Sequence, residues 1–86
     1  MTTYRKLLER VLSGRADANI HFDDLRNLLA QFGFKERSRG GHHVFVRDGV
    51  VELINLQREG HMAKPYQVRQ VRVVITKYGL KQEEDN

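Results

Sequence analysis

Two adjacent histidines, His42 and His43, stand directly after the glycine pair Gly40-Gly41, which itself follows Arg39. Imidazole titrates near ~6.5 and is the side chain best suited to exchanging a proton near neutral pH. Glycines lacking a Cβ let backbone N–H groups approach an anion closely, and a guanidinium beside them adds charge, although Gly-Gly also suits a plain β-turn. The run Arg39-Gly40-Gly41-His42-His43 therefore reads as a place where a proton could move next to a bound phosphate. A metal reading fits less well. Neighbouring strand residues point to opposite faces, so His42 and His43 cannot readily join His61 on one ion, and no carboxylate is placed to orient them. The chain has no cysteine, which removes thiolate sites and disulfides, and neither a metal nor a cofactor is assigned.

The elements that must position this run can be read from hydrophobic spacing. Tyr4, Leu7, Leu8, Val11 and Leu12 form one stripe of a short helix that Ser13-Gly14 ends. After a connection without period, Asp23 or Asp24 is expected to cap a second helix with Phe22 as its hydrophobic staple; Leu25, Leu28, Leu29 and Phe32 form its buried face and Gly33 stops it. Strands follow over residues 34–38, 42–47 and 50–56, with Asp48-Gly49 as a two-residue hairpin turn between the last two. After a polar loop, Pro65 opens a last helix with Val68, Val71, Val74 or Ile75, and Tyr78 inward, closed by Gly79 with Leu80 folding back. Its valines leave a strand over residues 71–75 as the competing reading. The order is α-α-β-β-β-α, an α+β fold whose three-stranded antiparallel sheet packs one face on helices and leaves the other open to a ligand. With Val44 and Val46 assigned to the core, His43, Phe45 and Arg47 project from the open face. There a base could stack on Phe45 and a phosphate could meet Arg47 or Arg39.

Eighty-six residues make a single domain, expected over residues 1–82 with an acidic tail at 83–86. No apolar run exceeds three residues and no signal-type segment opens the chain, which predicts a cytoplasmic protein without membrane contact, monomeric or weakly dimeric. The net charge of +4 is local. Residues 35–72 hold eight basic and four acidic groups, whereas residues 1–34 carry +1 and residues 73–86 carry −1. A basic middle is compatible with a polyanionic partner.

Gly33-Phe34, Arg37 and Gly40-Gly41-His42-His43-Val44-Phe45 together resemble the Gly-Phe...Gly-Ser-His-His-x-Phe signature of the HicA family of toxins. Asn55-Leu56-Gln57 and Lys64-Pro65-Tyr66-Gln67-Val68-Arg69-Gln70-Val71 look like later segments of one HicA-like subgroup, so the resemblance runs from about residue 22 to residue 80. It implies a double-stranded-RNA-binding-domain-like fold, an mRNA endoribonuclease that inhibits translation, and a HicB-like antitoxin as partner. The family's catalytic histidine falls on His43, while Arg39, Gly40, Gly41, Phe45, Arg47 and Lys64 are the expected RNA-binding residues. Two departures stand out: Gly41 occupies the position of the family's Ser or Thr, and residues 1–14 form an additional N-terminal helix. Two other functions fit the same residues, a non-catalytic RNA-binding module and a protein-interaction domain that uses Phe45.

Overall fold

A computed structural model of the protein describes residues 4–81; the acidic tail expected at 83–86 lies outside them. The elements are α1 (Tyr4–Ser13), a 3₁₀ turn (Asp17–Asn19), α2 (Phe22–Gln31), β1 (Lys35–Arg39), β2 (His42–Val46), β3 (Ile54–Gln57) and α3 (Pro65–Tyr78). The strands form one antiparallel sheet in the order β1-β2-β3, so the expected α+β architecture and element order are both present. None of the described helices is long and apolar enough to cross a membrane.

Helix boundaries follow the sequence signals closely. Gly14 (φ 73°) ends α1, and Gly79 (φ 57°) ends α3 in the left-handed conformation, which lets the Leu80 N–H return to the Ile75 carbonyl at 3.0 Å. The valines of α3 do not make a strand. Val68, Val71, Val74 and Ile75 repeat at helical spacing and are buried against the other helices and the sheet. Only the start of α2 differs. His21, not Asp23 or Asp24, precedes the helix, because residues 20–22 pair with residues 61–63: Phe22 N–H donates to the His61 carbonyl (2.9 Å) and Ala63 N–H to that of Ile20 (2.8 Å). Phe22 thereby becomes the first helical residue and is fully buried. Asp23 and Asp24 sit in the first turn, where their charge favours the helix dipole.

The expected hairpin at Asp48-Gly49 is corrected. A turn does form there, with Val50 N–H bonded to the Arg47 carbonyl at 3.1 Å, but pairing resumes only at Ile54, opposite Phe45. A two-residue type I′ turn needs positive φ at both central residues, and only Gly49 (φ 86°) has it. The chain instead runs out to α3, where the Tyr78 hydroxyl donates to Glu52 Oε1 (2.5 Å) and accepts from Val51 N–H (3.2 Å), while Lys77 Nζ donates to Glu52 Oε2 (2.7 Å). The tight hairpin of the sheet is the other one. Arg39 pairs with His42, leaving Gly40-Gly41 as its two central residues; positive φ at Gly40 alone (62°) is the signature of a type II′ turn.

Two polar side chains, Gln67 and the partly buried Arg72, lock the helices to this frame. Gln67, fully buried, accepts the Lys64 N–H through Oε1 (3.2 Å) and donates through Nε2 to the Gln57 carbonyl (3.1 Å), tying the start of α3 to the end of β3. Arg72 forks onto Asp17 (2.9 and 3.2 Å) and also donates to the Val11 carbonyl (3.0 Å), joining α3 to the end of α1 and the 3₁₀ turn. Truncating Arg72 would strand a mostly buried carboxylate and a helix-end carbonyl. Arg72→Ala is expected to lower folding stability by about 2 kcal/mol or more, and Arg72→Lys to recover only part of it because an ammonium cannot reproduce the fork. Urea unfolding followed by circular dichroism measures both.

Candidate active site

Strand β2 has the expected alternation with the opposite parity. His43 (8% exposed) and Phe45 (1%) face the helices, whereas His42 is exposed and Val44 and Val46 are only partly covered on the outer face. The physical reason is area. An aromatic ring removes more apolar surface from water than a valine can, so Phe45 takes the inward position beside Ile54, and half-covered β-branched residues suit a sheet surface. Three expectations are thereby corrected. Phe45 lies in the core and offers no stacking surface. Arg47 does not stand on the open face: its Nε donates to the Phe32 carbonyl at 2.7 Å and ties down the end of α2. His43 sits at the inner rim of the sheet, not on its outer face.

The register of the glycine hairpin brings partners to His43. Ser38 is directly opposite, and Glu36 stands one inward position further along β1, opposite Phe45. Ser38 Oγ lies 2.9 Å from His43 Nδ1 and donates to Glu36 Oε2 (3.0 Å), and that same carboxylate oxygen is 2.5 Å from Nδ1. A carboxylate only accepts, so Nδ1 carries the proton and Nε2 of the neutral ring keeps its lone pair for an incoming group. With both Ser38 and Glu36 on Nδ1, Ser38 is not arranged as a nucleophile deprotonated by Nε2.

Glu36 is held charged. Burial pushes its carboxyl up, but Arg26, His43 and Ser38 together outweigh this and bring it down to about 2. Arg26 supplies a fork from α2, Nε to Oε2 and Nη2 to Oε1, both 2.9 Å. Its Nη1 also donates to Asp23 Oδ1 (3.1 Å), which accepts a further bond from Arg58 Nη2. The Arg58 guanidinium lies 4.6 Å above the Phe22 ring, and Phe22 meets His43 edge to face with centroids 5.2 Å apart. His43, Glu36, Arg26, Asp23, Arg58 and Phe22 thus close a ring of contacts around the imidazole. Arg58 also reaches the hairpin tip, since its N–H donates to the Gly41 carbonyl at 2.9 Å.

Among the residues expected at a site, His43 and the Gly40-Gly41 tip come together, with Arg39 exposed beside them on the outer face. Lys64 is elsewhere, at the start of α3 and paired with Glu59 at 2.5 Å. Glu36, Ser38, Arg26 and Arg58 were missed. Glu36 and Ser38 carried a signal, two polar residues at the alternation spacing of one face, which becomes meaningful once the turn is placed at Gly40-Gly41. Arg26, Asp23 and Arg58 join through tertiary packing and left none. Among the described residues no three His, Asp or Glu side chains converge as metal ligands.

No protein-family model, curated protein or solved structure matches the chain, which leaves the chemistry of the site to its residues. The depressed carboxyl gives a pH prediction. Glu36 titrates at about 2 in the fold against an ordinary 4.5, so its contribution to stability is complete above pH 4.5 and is lost as pH falls towards 2. The urea midpoint of Glu36→Gln should be lower than that of the wild type near neutrality, with the gap closing in that acidic window. A gap independent of pH would show that the charge of Glu36 does not stabilise the fold.

Proposed function

We propose that the protein is a metal-independent endoribonuclease of the HicA type, with His43 as the general base. The observation that carries this reading is the carboxylate-backed imidazole: Glu36 on Nδ1 leaves Nε2 as the proton acceptor, on the central strand one residue pair away from the glycine turn. In the reaction, Nε2 takes the proton of a ribose 2′-hydroxyl and that oxygen forms a bond to the adjacent phosphorus. The bond from phosphorus to the 5′-oxygen then breaks, with a proton delivered to that oxygen from solvent. The products are a 2′,3′-cyclic phosphate and a 5′-hydroxyl. A 2′-hydroxyl nucleophile restricts the chemistry to RNA. Arg58, which rests on the same phenyl ring as His43, replaces Arg47 as the cation for the phosphorane charge, and Gly40-Gly41 allows close approach of the backbone. Glu36 acts as a positioning residue, fixing the tautomer and stabilising the imidazolium that forms. Cleavage of mRNA would stop translation, and a HicB-like antitoxin covering the site would silence it.

The absence of a hydroxyl at position 41 favours a second reading, a non-catalytic RNA-binding module. Room for that hydroxyl exists. A Cβ added at Gly41 would have the Arg58 carbonyl as its nearest neighbour, at 3.8 Å, an ordinary contact, and the backbone there does not need glycine.

Incubation of purified protein with a long single-stranded RNA in EDTA separates the two. Wild type should yield cyclic-phosphate ends, folded His43→Ala none, and Glu36→Gln about 10²-fold less per unit time with a shifted pH–rate profile. Full cleavage by His43→Ala would overturn the assignment. Gly41→Ser is expected to fold like the wild type. If the wild type is silent while Gly41→Ser cleaves, the binding-module reading holds for the natural chain and the missing hydroxyl accounts for it.

A further inference from the structure

The parity of β2 separates two surfaces, the side with His43 and the cationic outer face, that the expected alternation combines. The outer face of the sheet, away from His43, carries Lys35, Arg37 and Arg39 along β1, His42, Val44 and Val46 along β2, and Asn55 and Gln57 along β3. No acidic side chain stands at any of these outward positions. Among the described residues Lys35, Arg37, Arg39 and His42 have no side-chain hydrogen bond or ion pair, although each is exposed. Several other cations do have partners: Arg26, Arg58, Lys64, Arg72 and Lys77 each pair with a carboxylate. Three of the eight basic groups of residues 35–72 thus stand unpaired in a file on one face of the sheet.

We propose that this outer face docks the backbone of single-stranded RNA and leads it round the Gly40-Gly41 tip to His43; the inference rests on the ribonuclease reading and adds where the substrate lies. Alternate residues of a strand are separated by ~6.8 Å, which sets the three β1 cations in a straight file of ~14 Å, matched to a linear polyanion with regularly spaced charges. Cross-strand from Arg39, His42 and Gln57 lead to a groove of about 410 Å³ where β3 meets α3, lined also by Asn55, Tyr66 and Gln70. The Tyr66 ring is half exposed and offers a stacking surface for a base. The face ends at the hairpin tip. Arg39 and His42 are the last pair before Gly40-Gly41, and Ser38 with His43 is the next pair on the opposite side, so a strand turning over the tip passes from docking surface to imidazole.

A protein partner fits this face less well. Cores of protein interfaces are depleted in charge and built on apolar anchors, whereas the most exposed large hydrophobics, Val51, Val73 and Leu53, lie on other elements.

The test measures binding of a labelled single-stranded RNA to His43→Ala protein, which leaves the RNA intact, as a function of salt. Adding Lys35→Gln/Arg37→Gln/Arg39→Gln should flatten the slope of log K against log salt by about 2 and weaken binding by about a hundredfold at 0.1 M monovalent salt. A matched removal of charge elsewhere, Arg5→Gln/Arg15→Gln/Lys81→Gln, should leave the slope unchanged. If the triple variant does not fold, Arg37→Gln alone serves, with a change of about 0.7 in slope. Equal effects of the two triple variants, or none from the outer-face one, would overturn the docking surface while leaving wild-type cleavage, and with it the nuclease reading, in place. Absence of both RNA binding and cleavage would overturn both. Salt-dependent binding of polyglutamate without binding of RNA would assign the face to an acidic protein and overturn the inference.

Discussion

Strand β2 has one inward face, and Phe45 must occupy it. A domain of 86 residues buries only a modest share of its surface, so a large aromatic ring on the central strand cannot be left in water. Because side chains alternate, placing Phe45 between Glu36 and Ile54 determines every other position on the strand. His43 is carried to the inner rim, His42 to the outside, and Val44 and Val46 to a half-covered surface. The position of the imidazole is thus a by-product of core packing, and so is the clearing of acidic groups from the opposite face.

A histidine brought to the edge of a core needs partners for its polar atoms, and β1 supplies them through the hairpin register. The charge that results, Glu36, would be costly in a half-buried position without Arg26. The fork from α2 keeps the carboxylate ionised, the carboxylate holds the Nδ1 proton, and Nε2 is left as the free basic atom. Asp23 and Arg58 continue the alternation of charge back to Phe22, whose ring edge meets the imidazole. Each charged member has an opposite neighbour, so the arrangement is electrostatically closed apart from one imidazole nitrogen. Such an arrangement suits the proposed general base, which would gain a proton and lose it again without rearranging its surroundings.

Helices were legible because their signals are local and redundant: apolar residues repeat at helical spacing, and Gly14 and Gly79 stop where the left-handed conformation is needed. Even the valine-rich α3 obeyed its period rather than its propensity. The sheet was legible in order but not in detail. Asp-Gly indicates a turn wherever it occurs, yet whether the strands pair immediately depends on Glu52, Lys77 and Tyr78, which meet only in the folded chain. Parity on β2 was a contest between two valines and one phenylalanine, and counting residues in place of area gave the wrong face. The Gly-Gly-His-His run singles out His43 whichever way it points, so the candidate did not depend on the parity. Its supporting residues could not be identified without the register, and Arg26 and Arg58 could not be identified from any spacing.

Small size then constrains how such a site can meet a substrate. On the proposed reading, binding energy comes from an extended surface, and the file of Lys35, Arg37 and Arg39 lies on the face that Phe45 left outside. A sheet is a single layer, and a two-residue turn brings its faces together within one cross-strand pair: Arg39 and His42 on one side, Ser38 and His43 on the other. A longer turn would have put a flexible loop between them. Glycine at position 40, required by its positive φ, therefore does more than close a hairpin: it sets the short path between the cationic outer face and the imidazole of His43.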